Sequence, residues 1–216
     1  MKNYILRKNK GKSHIFYDKR NNLIKDKKYI EDCISGIYIA PAYDNVKINL
    51  NKKAKVLAIG YDDKNRAQYI YNKKFVEKMK KQKFYNLYLF GLQYNKIIND
   101  INKNIKLPED NKLKHICIIL KLIIDCNFRV GNDEYMKQNN SYGVTTLKSK
   151  HIFVNKDKVT IDFIGKKSVR NICSVDNKTI KRHLKKKKKT LKNNKRIFTC
   201  NNTNINSNDV NTYIKQ

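Results

Sequence analysis

The chain has 216 residues with Lys+Arg 49 against Asp+Glu 18, a formal net charge of +31. Hydrophobic residues at 40% and aromatics at 10% are enough to bury a sizeable core, so outright disorder is excluded, and the positive excess calls for a polyanionic partner. That charge, spread over a chain with 14 Tyr and 8 Phe, favours a folded nucleic-acid binder over a basic tail.

In chain order, Ser13–Tyr17 (SHIFY) alternates as a strand and Arg20-Asn21-Asn22 breaks it. Ile30, Cys33, Ile34 and Ile37 place one short helix over 28–37, ahead of Pro41. Val46–Leu50 and Val56–Tyr61 repeat the strand pattern, 62–66 is a polar turn, and Gln68–Tyr71 resumes a strand. A small antiparallel sheet follows from these. From Asn72 the period changes to that of helices, with Phe75, Met79, Phe84, Leu87 and Tyr88 and then 91–101. Residues 102–111, with Pro108, read as a loop, and 113–125 as a buried apolar helix. Strands return at 151–154, 159–164 and 169–175 as a three-stranded meander. A helix is expected over 178–191, a strand at 197–200, and a last helix over 208–216 capped by Ser207. The fold class is therefore α+β: an amino-terminal antiparallel β domain (1–77) and a mainly helical domain (78–216) containing the meander.

The longest apolar run, 116–124, is interrupted by Lys121 and is too short for a membrane span. Met1-Lys2-Asn3-Tyr4 precedes no apolar stretch of a secretory signal, so an intracellular site is expected. Five cysteines (Cys33, Cys117, Cys126, Cys173, Cys200) without C-x-x-C spacing argue against a disulfide framework or zinc module and are expected to be reduced and mostly buried. No metal constellation or cofactor-binding loop is recognisable. The run Lys185–Lys189 reads as a solvated helix face.

Two strings carry chemistry. In Phe128-Arg129-Val130-Gly131-Asn132-Asp133-Glu134-Tyr135, an arginine at the end of a buried helix beside a glycine can present a planar fork to a phosphate; the plain alternative is pairing of Arg129 with Asp133 or Glu134. The second, Ser141-Tyr142-Gly143-Val144-Thr145-Thr146-Leu147, is followed by the meander whose tight turn carries Lys166, which composition alone would leave as one more exposed lysine.

These strings, with N-N-S-Y-G-V-T-T-L-K-S-K-H-I, F-I-G-K at 163–166, Ile39-Ala40-Pro41-Ala42-Tyr43 and 60–69 (GYDDKNRAQY), resemble type IB DNA topoisomerases of the small poxvirus, giant-virus and bacterial kind, in order over nearly the whole chain. The resemblance implies a β domain and a helical catalytic domain closing as a clamp on duplex DNA, with no cofactor and a monomeric protein. It makes Arg129 the arginine that contacts the scissile phosphate and Lys166 the general acid for the 5′-oxygen leaving group, with Lys167 as an alternative register. Gln68, Tyr69 and Tyr71 match a strand that enters the major groove; packing of that sheet face on its own core is the alternative. Tyr135 and Asn132 match DNA contacts beside the arginine, although some poxvirus members carry lysine where Asn132 stands.

The family's second arginine, histidine and nucleophilic tyrosine lie beyond the helix that 209–213 resembles, so the sequence reads as cut short, inactive alone, with the missing groups supplied by a longer chain or a separately encoded fragment. Tyr213 takes a structural helix position, and Arg182, His183 and Arg196 receive no catalytic role. Two other readings compete: a duplex-binding clamp without catalysis, and a basic ribosomal or packaging protein, which explains the charge but not the ordered motifs.

Overall fold

A computed structural model describes residues 1, 3–11 and 13–215. Two compact units divide the chain, Met1–Gly91 and Leu92–Gln216.

The first unit is built on a five-stranded antiparallel sheet in the order β2-β1-β3-β4-β5. Its strands are β1 (Tyr4–Lys10), β2 (Ser13–Tyr17), β3 (Asp44–Asn49), β4 (Val56–Tyr61) and β5 (Ala67–Tyr71). Ile5, Val46, Ile48 and Ala58 point to one face and are buried there with Cys33 of helix α1 (Lys27–Ile34). Asp26 caps α1 by accepting from the Tyr29 amide. β1 escapes a hydrophobic-pattern reading because one of its inward positions is charged. Arg7 is 5% exposed, and one of its terminal nitrogens donates to the carbonyls of Ala40 (3.0 Å) and Tyr43 (2.7 Å), while its Nε is buried without a partner among the described residues.

Helix α2 (Lys73–Asn104) is one uninterrupted element of 32 residues, and the boundary between the units falls inside it. It corrects the expectation of several helices and takes in residues 102–104, which were expected in the loop. Pro108 follows the end of the helix, so the break comes just before the proline, as its ring requires.

In the second unit α3 (Lys112–Cys126) is the central helix, with Ile116–Ile119 and Leu122 buried. Removing side chains of this size from water stabilises the unit by about 1.5–3 kcal/mol each. Around it lie α4 (Asp133–Asn139), the sheet β6 (Ile152–Asn155), β7 (Lys158–Ile164), β8 (Arg170–Ser174) in that order, α5 (Lys178–Thr190), the short pair β9 (Thr199–Cys200) and β10 (Thr203–Asn204), and α6 (Ser207–Ile214). Asn206, not Ser207, caps α6: its side chain accepts from the amides of Asn208 and Asp209, while Asp209 returns a bond to the Asn206 amide. Gln216, expected at the end of that helix, lies outside the described residues.

The cysteine expectation is corrected in part. Cys126 and Cys173 are joined by a disulfide, whereas Cys33, Cys117 and Cys200 are free and buried. A separation of 47 residues hides the pair in the sequence; the fold brings the last residue of α3 against β8. The lysine run also differs from a uniformly solvated face. Lys188 donates to the Ser149 carbonyl (3.1 Å), Lys185 pairs with Asp157 (3.3 Å), and Lys187 is half-buried with its pKa lowered by burial. No helix among the described residues is long and apolar enough to cross a membrane.

Candidate functional site

Arg129 stands just beyond the end of α3, which Asn127 closes in the left-handed conformation (φ 55°). The segment 129–131 then runs beside 143–145. Val144 donates to the Arg129 carbonyl (2.9 Å), and Thr145 donates to the Val130 carbonyl from both its amide (2.8 Å) and its hydroxyl (2.9 Å). Two glycines permit the approach. Gly131 has φ +93°, and a Cβ on Gly143 would lie 2.5 Å from both Cα and N of Gly131. This is the physical content of the R-V-G and S-Y-G-V-T-T strings: backbone meets backbone where no side chain fits.

The same stretch reaches the meander on its other side. Tyr142 donates its amide to the Ile164 carbonyl (2.9 Å), and Gly165 donates to Val169 (2.8 Å) to close the β7–β8 turn. Residues 142–144 therefore connect the backbone of Arg129 to the strand that delivers Lys166. Both side chains are exposed, and among the described residues neither charged group has a hydrogen-bond or ion-pair partner. Lys166 and Lys167 share a single 3-10 turn (Lys166–Ser168) in which Lys167 is left-handed (φ 60°, ψ 33°).

Of the alternative partners for Arg129, Asp133 is engaged otherwise. Asp133 pairs with Arg196, which also lies 3.8 Å from the Met136 sulfur. Asn132 caps α4, accepting from the amides of Glu134 (2.8 Å) and Tyr135 (3.3 Å), so its carbonyl oxygen is occupied within the chain. Tyr135 is 62% exposed. Beside the turn, a cleft of about 380 Å³ is lined by Asn140, Tyr142, Lys150, His151, Asp162 and Ile164 among others. Lys148 and Lys150 each hold their ammonium 5.7 Å from the Tyr142 ring, and the His151 ring meets that ring edge-on at 4.4 Å. Burial, reinforced by Lys150 and Lys148, pushes His151 down to about 4. The Lys148 amide donates to His151 Nδ1 (3.1 Å), which fits a neutral ring acting as acceptor. No local pattern signals this cleft, because its members come from several separate segments of the chain.

Tyr213 offers no poised nucleophile. It is partly buried on α3, its hydroxyl lies 4.0 Å from the Cys117 sulfur, and burial raises its pKa, with Cys117 adding to the effect. Arg182 is exposed on α5. His183 is buried and bonded to Glu109, Nδ1 to Oε2 at 3.0 Å.

In the first unit, β5 is one of the two edge strands of the sheet. Tyr69 and Tyr71 project from one face, 53% and 41% exposed, with ring centroids 6.2 Å apart. Gln68 lies on the opposite face with Ile70, across from Gly60 of β4. A Cβ on Gly60 would fall 2.9 Å from a methyl of Val46, so this partner position can hold no side chain. Gln68 is half-buried and donates Nε2 to Asp62 (3.0 Å). Asp62 is a participant that the sequence reading passed over as part of a polar turn.

Residues 72–216 match the family described as eukaryotic DNA topoisomerase I, catalytic core. The chain is 34% identical over 166 residues to the DNA topoisomerase 1B of Acanthamoeba polyphaga mimivirus, covering 77% of this chain and 49% of that protein. To the DNA topoisomerase 1B of vaccinia virus (strain Copenhagen) it is 33% identical over 118 residues, 53% of this chain and 37% of the relative. To the DNA topoisomerase 1 of rabbit fibroma virus (strain Kasza) it is 27% identical over 119 residues. The chain spans half or less of the length of these relatives.

Proposed function

Because the chain belongs to the type IB DNA topoisomerase family, we propose that it binds duplex DNA and supplies phosphate-activating groups for relaxing supercoils through transient cleavage of one strand. The observation that carries this reading is the 142–144 bridge. It ties the backbone of Arg129 to the strand leading into Lys166 and leaves both cationic side chains exposed and, among the described residues, unpartnered. In the reaction a tyrosine oxygen attacks the scissile phosphorus, a 3′-phosphotyrosyl bond forms, and the bond to the 5′-oxygen breaks. Arg129 neutralises charge growing on the nonbridging oxygens. Lys166 gives its proton to the departing 5′-oxygen, which would otherwise leave as a high-energy alkoxide. Rotation of the free end and the reverse displacement complete the cycle without nucleotide hydrolysis, since the phosphotyrosyl bond conserves the energy of the diester. Tyr69, Tyr71 and Gln68 on the edge strand contact the duplex, and Tyr135 and Asn132 act beside Arg129.

We assign no nucleophile within these 216 residues, because Tyr213 is held against Cys117 with a raised pKa. On this reading the chain by itself binds DNA without relaxing it. The test joins the chain to a carboxy-terminal segment of a type IB relative and measures cleavage of a duplex with an ordinary or a 5′-thiolate leaving group. Lys166→Ala should slow cleavage by roughly 10²–10⁴-fold and recover with the thiolate, which needs no proton. Arg129→Ala should lose about 10²–10³-fold without recovery. Equal rescue of both variants would overturn the two roles. Relaxation by the unextended chain, with a tyrosine of this sequence trapped on DNA, would overturn the assignment of no nucleophile; DNA binding with no cleavage in either form would favour a non-catalytic clamp.

A further inference from the structure

We infer that Asp62 is a positioning residue for base readout: it fixes which way round the Gln68 amide is presented, and so makes Gln68 select adenine over guanine. The inference rests on the reading of β5 as a groove-contacting strand.

The turn 62–66 wraps around the Asp62 carboxylate. One oxygen, Oδ1, accepts from the backbone amides of Lys64 (3.1 Å) and Arg66 (2.9 Å). The other, Oδ2, accepts from Arg66 Nε (2.8 Å) and from Gln68 Nε2 (3.0 Å). The turn itself is closed by Asp62 N to Arg66 O (3.2 Å) and Asn65 N to Asp62 O (2.9 Å), with Asn65 left-handed at φ 54°. Arg66 holds the Asp62 carboxyl down to about 2, so it is ionised at neutral pH and can only accept.

An isolated glutamine amide can present either end, since its oxygen and nitrogen are nearly equal in shape. Against an ionised carboxylate it cannot. Nε2 must face Asp62, and turning the amide over would set Oε1 against a negative oxygen. One N–H is used by Asp62, which leaves Oε1 and the second N–H as the free edge of the amide. That acceptor–donor edge complements adenine, which offers N6–H and N7 in the major groove. It mismatches guanine, which presents acceptors at both O6 and N7.

Asp62→Asn reverses the logic with little change of shape. Two backbone amides demand an acceptor at the Oδ1 position, so the new side-chain nitrogen must occupy the Oδ2 position. There it donates, and Gln68 satisfies it by turning Oε1 inward. The outward edge then carries N–H where the acceptor was, which sets donor against donor at adenine N6–H; guanine O6 could accept from it, but Oε1 would then face the N7 acceptor, so neither purine is matched at both positions. Asp62→Glu, less similar in shape, keeps an acceptor-only carboxylate. A purely structural turn residue would tolerate asparagine at least as well as glutamate.

The experiment selects bound duplexes from a randomised library with the full 216-residue chain, then measures competition binding for duplexes differing only at the enriched position. The wild type should prefer adenine there by roughly 5- to 150-fold, the worth of one bidentate base contact. Asp62→Asn should abolish the preference for adenine at that single position, Asp62→Glu should retain it, and Gln68→Ala should have none. The same comparison in an Arg66→Ala background keeps an arginine released in Asp62→Asn from reading guanine itself. A thermal melt confirms that each variant is folded. If Gln68→Ala abolishes the preference while Asp62→Asn keeps it, the positioning role is overturned and groove reading stands. If Gln68→Ala leaves the preference unchanged, or the wild type has none, groove reading by Gln68 fails and the inference fails with it.

Discussion

The bridge between Arg129 and the lysine turn can be tested without DNA, through Gly143→Ala. The added Cβ would sit 2.5 Å from Cα and N of Gly131 and 2.7 Å from the Arg129 carbonyl oxygen. Carbon pairs rest about 3.5–4.0 Å apart, so one backbone segment has to move by about 1 Å. All three obstacles are backbone atoms, which cannot swing away as a long side chain would. Moving them strains the bonds Val144 N to Arg129 O (2.9 Å) and Thr145 N to Val130 O (2.8 Å). Overpacking at about 1–3 kcal/mol and two weakened hydrogen bonds at about 1 kcal/mol each give a loss of roughly 3–5 kcal/mol. For a unit of this size, at about 4 °C per kcal/mol, the transition falls by roughly 10–20 °C. Gly91→Ala is the internal control, because it lies in the middle of α2 with nothing within 4 Å of the added atom. There the same methyl should stabilise by about 0.5–1 kcal/mol through helix propensity alone. Calorimetry on the three proteins decides the matter. A Gly143→Ala variant that melts with the wild type, or a Gly91→Ala variant that melts lower, refutes the steric argument.

Three further outcomes follow from charge, burial and crosslinking. Burial pushes His183 down from 6.5 to about 4, so the unfolded chain binds that proton first and stability should fall as pH drops from about 6.5 toward 4, by on the order of 2–3 kcal/mol. Burial works to raise Glu109, but the Lys114 ammonium at 2.7 Å and His183 hold it at about 2, which adds a loss between about 4.5 and 2; urea midpoints that stay flat from pH 7 to 5 would contradict the histidine argument. Opening the Cys126–Cys173 link frees a loop of 47 residues' separation and should cost about 2–4 kcal/mol, so Cys173→Ser and reductant-treated wild type should melt together below the oxidised protein. Identical melting with and without reductant would mean that the link contributes nothing. Duplex binding through roughly 6–10 phosphates should weaken by about 10³–10⁵-fold between 50 and 200 mM salt, and filter binding that is flat over this range would exclude such an interface.

What the sequence disclosed, and what it did not, divides along the range of the interactions. β2, β4 and α3 are visible because period and burial coincide locally: Ile116–Ile119 is both the most apolar run and the most buried. β1 is invisible because Arg7 is solvated by two carbonyls more than 30 residues away, and periodicity counts it as polar. Cys126–Cys173 and Glu109–His183 join residues separated by 47 and 74 positions, and no local rule reaches that far. His183 and His115 each keep one ring nitrogen buried without a partner. A neutral ring can leave a lone pair there at less cost than an N–H, which is why burial outweighs the neighbouring carboxylate at His183 and lowers its pKa.

At the site the division is sharper still. The candidates Arg129, Lys166 and Gln68 could be named from motif strings because the chemistry proposed for them sits in the side chain and the string sits beside it. The neighbours proposed to position them could not. Gly143 acts by having no Cβ against Gly131, and Asp62 acts by having no hydrogen to give Gln68. Both exert their effect through a group that is missing. A missing group leaves no trace in composition or period until the neighbour it would have met is known. The two substitutions that restore something there, a methyl at Gly143 and an N–H at Asp62, are therefore the ones that test whether geometry, and not the motif residues alone, underlies the action on DNA proposed for this chain.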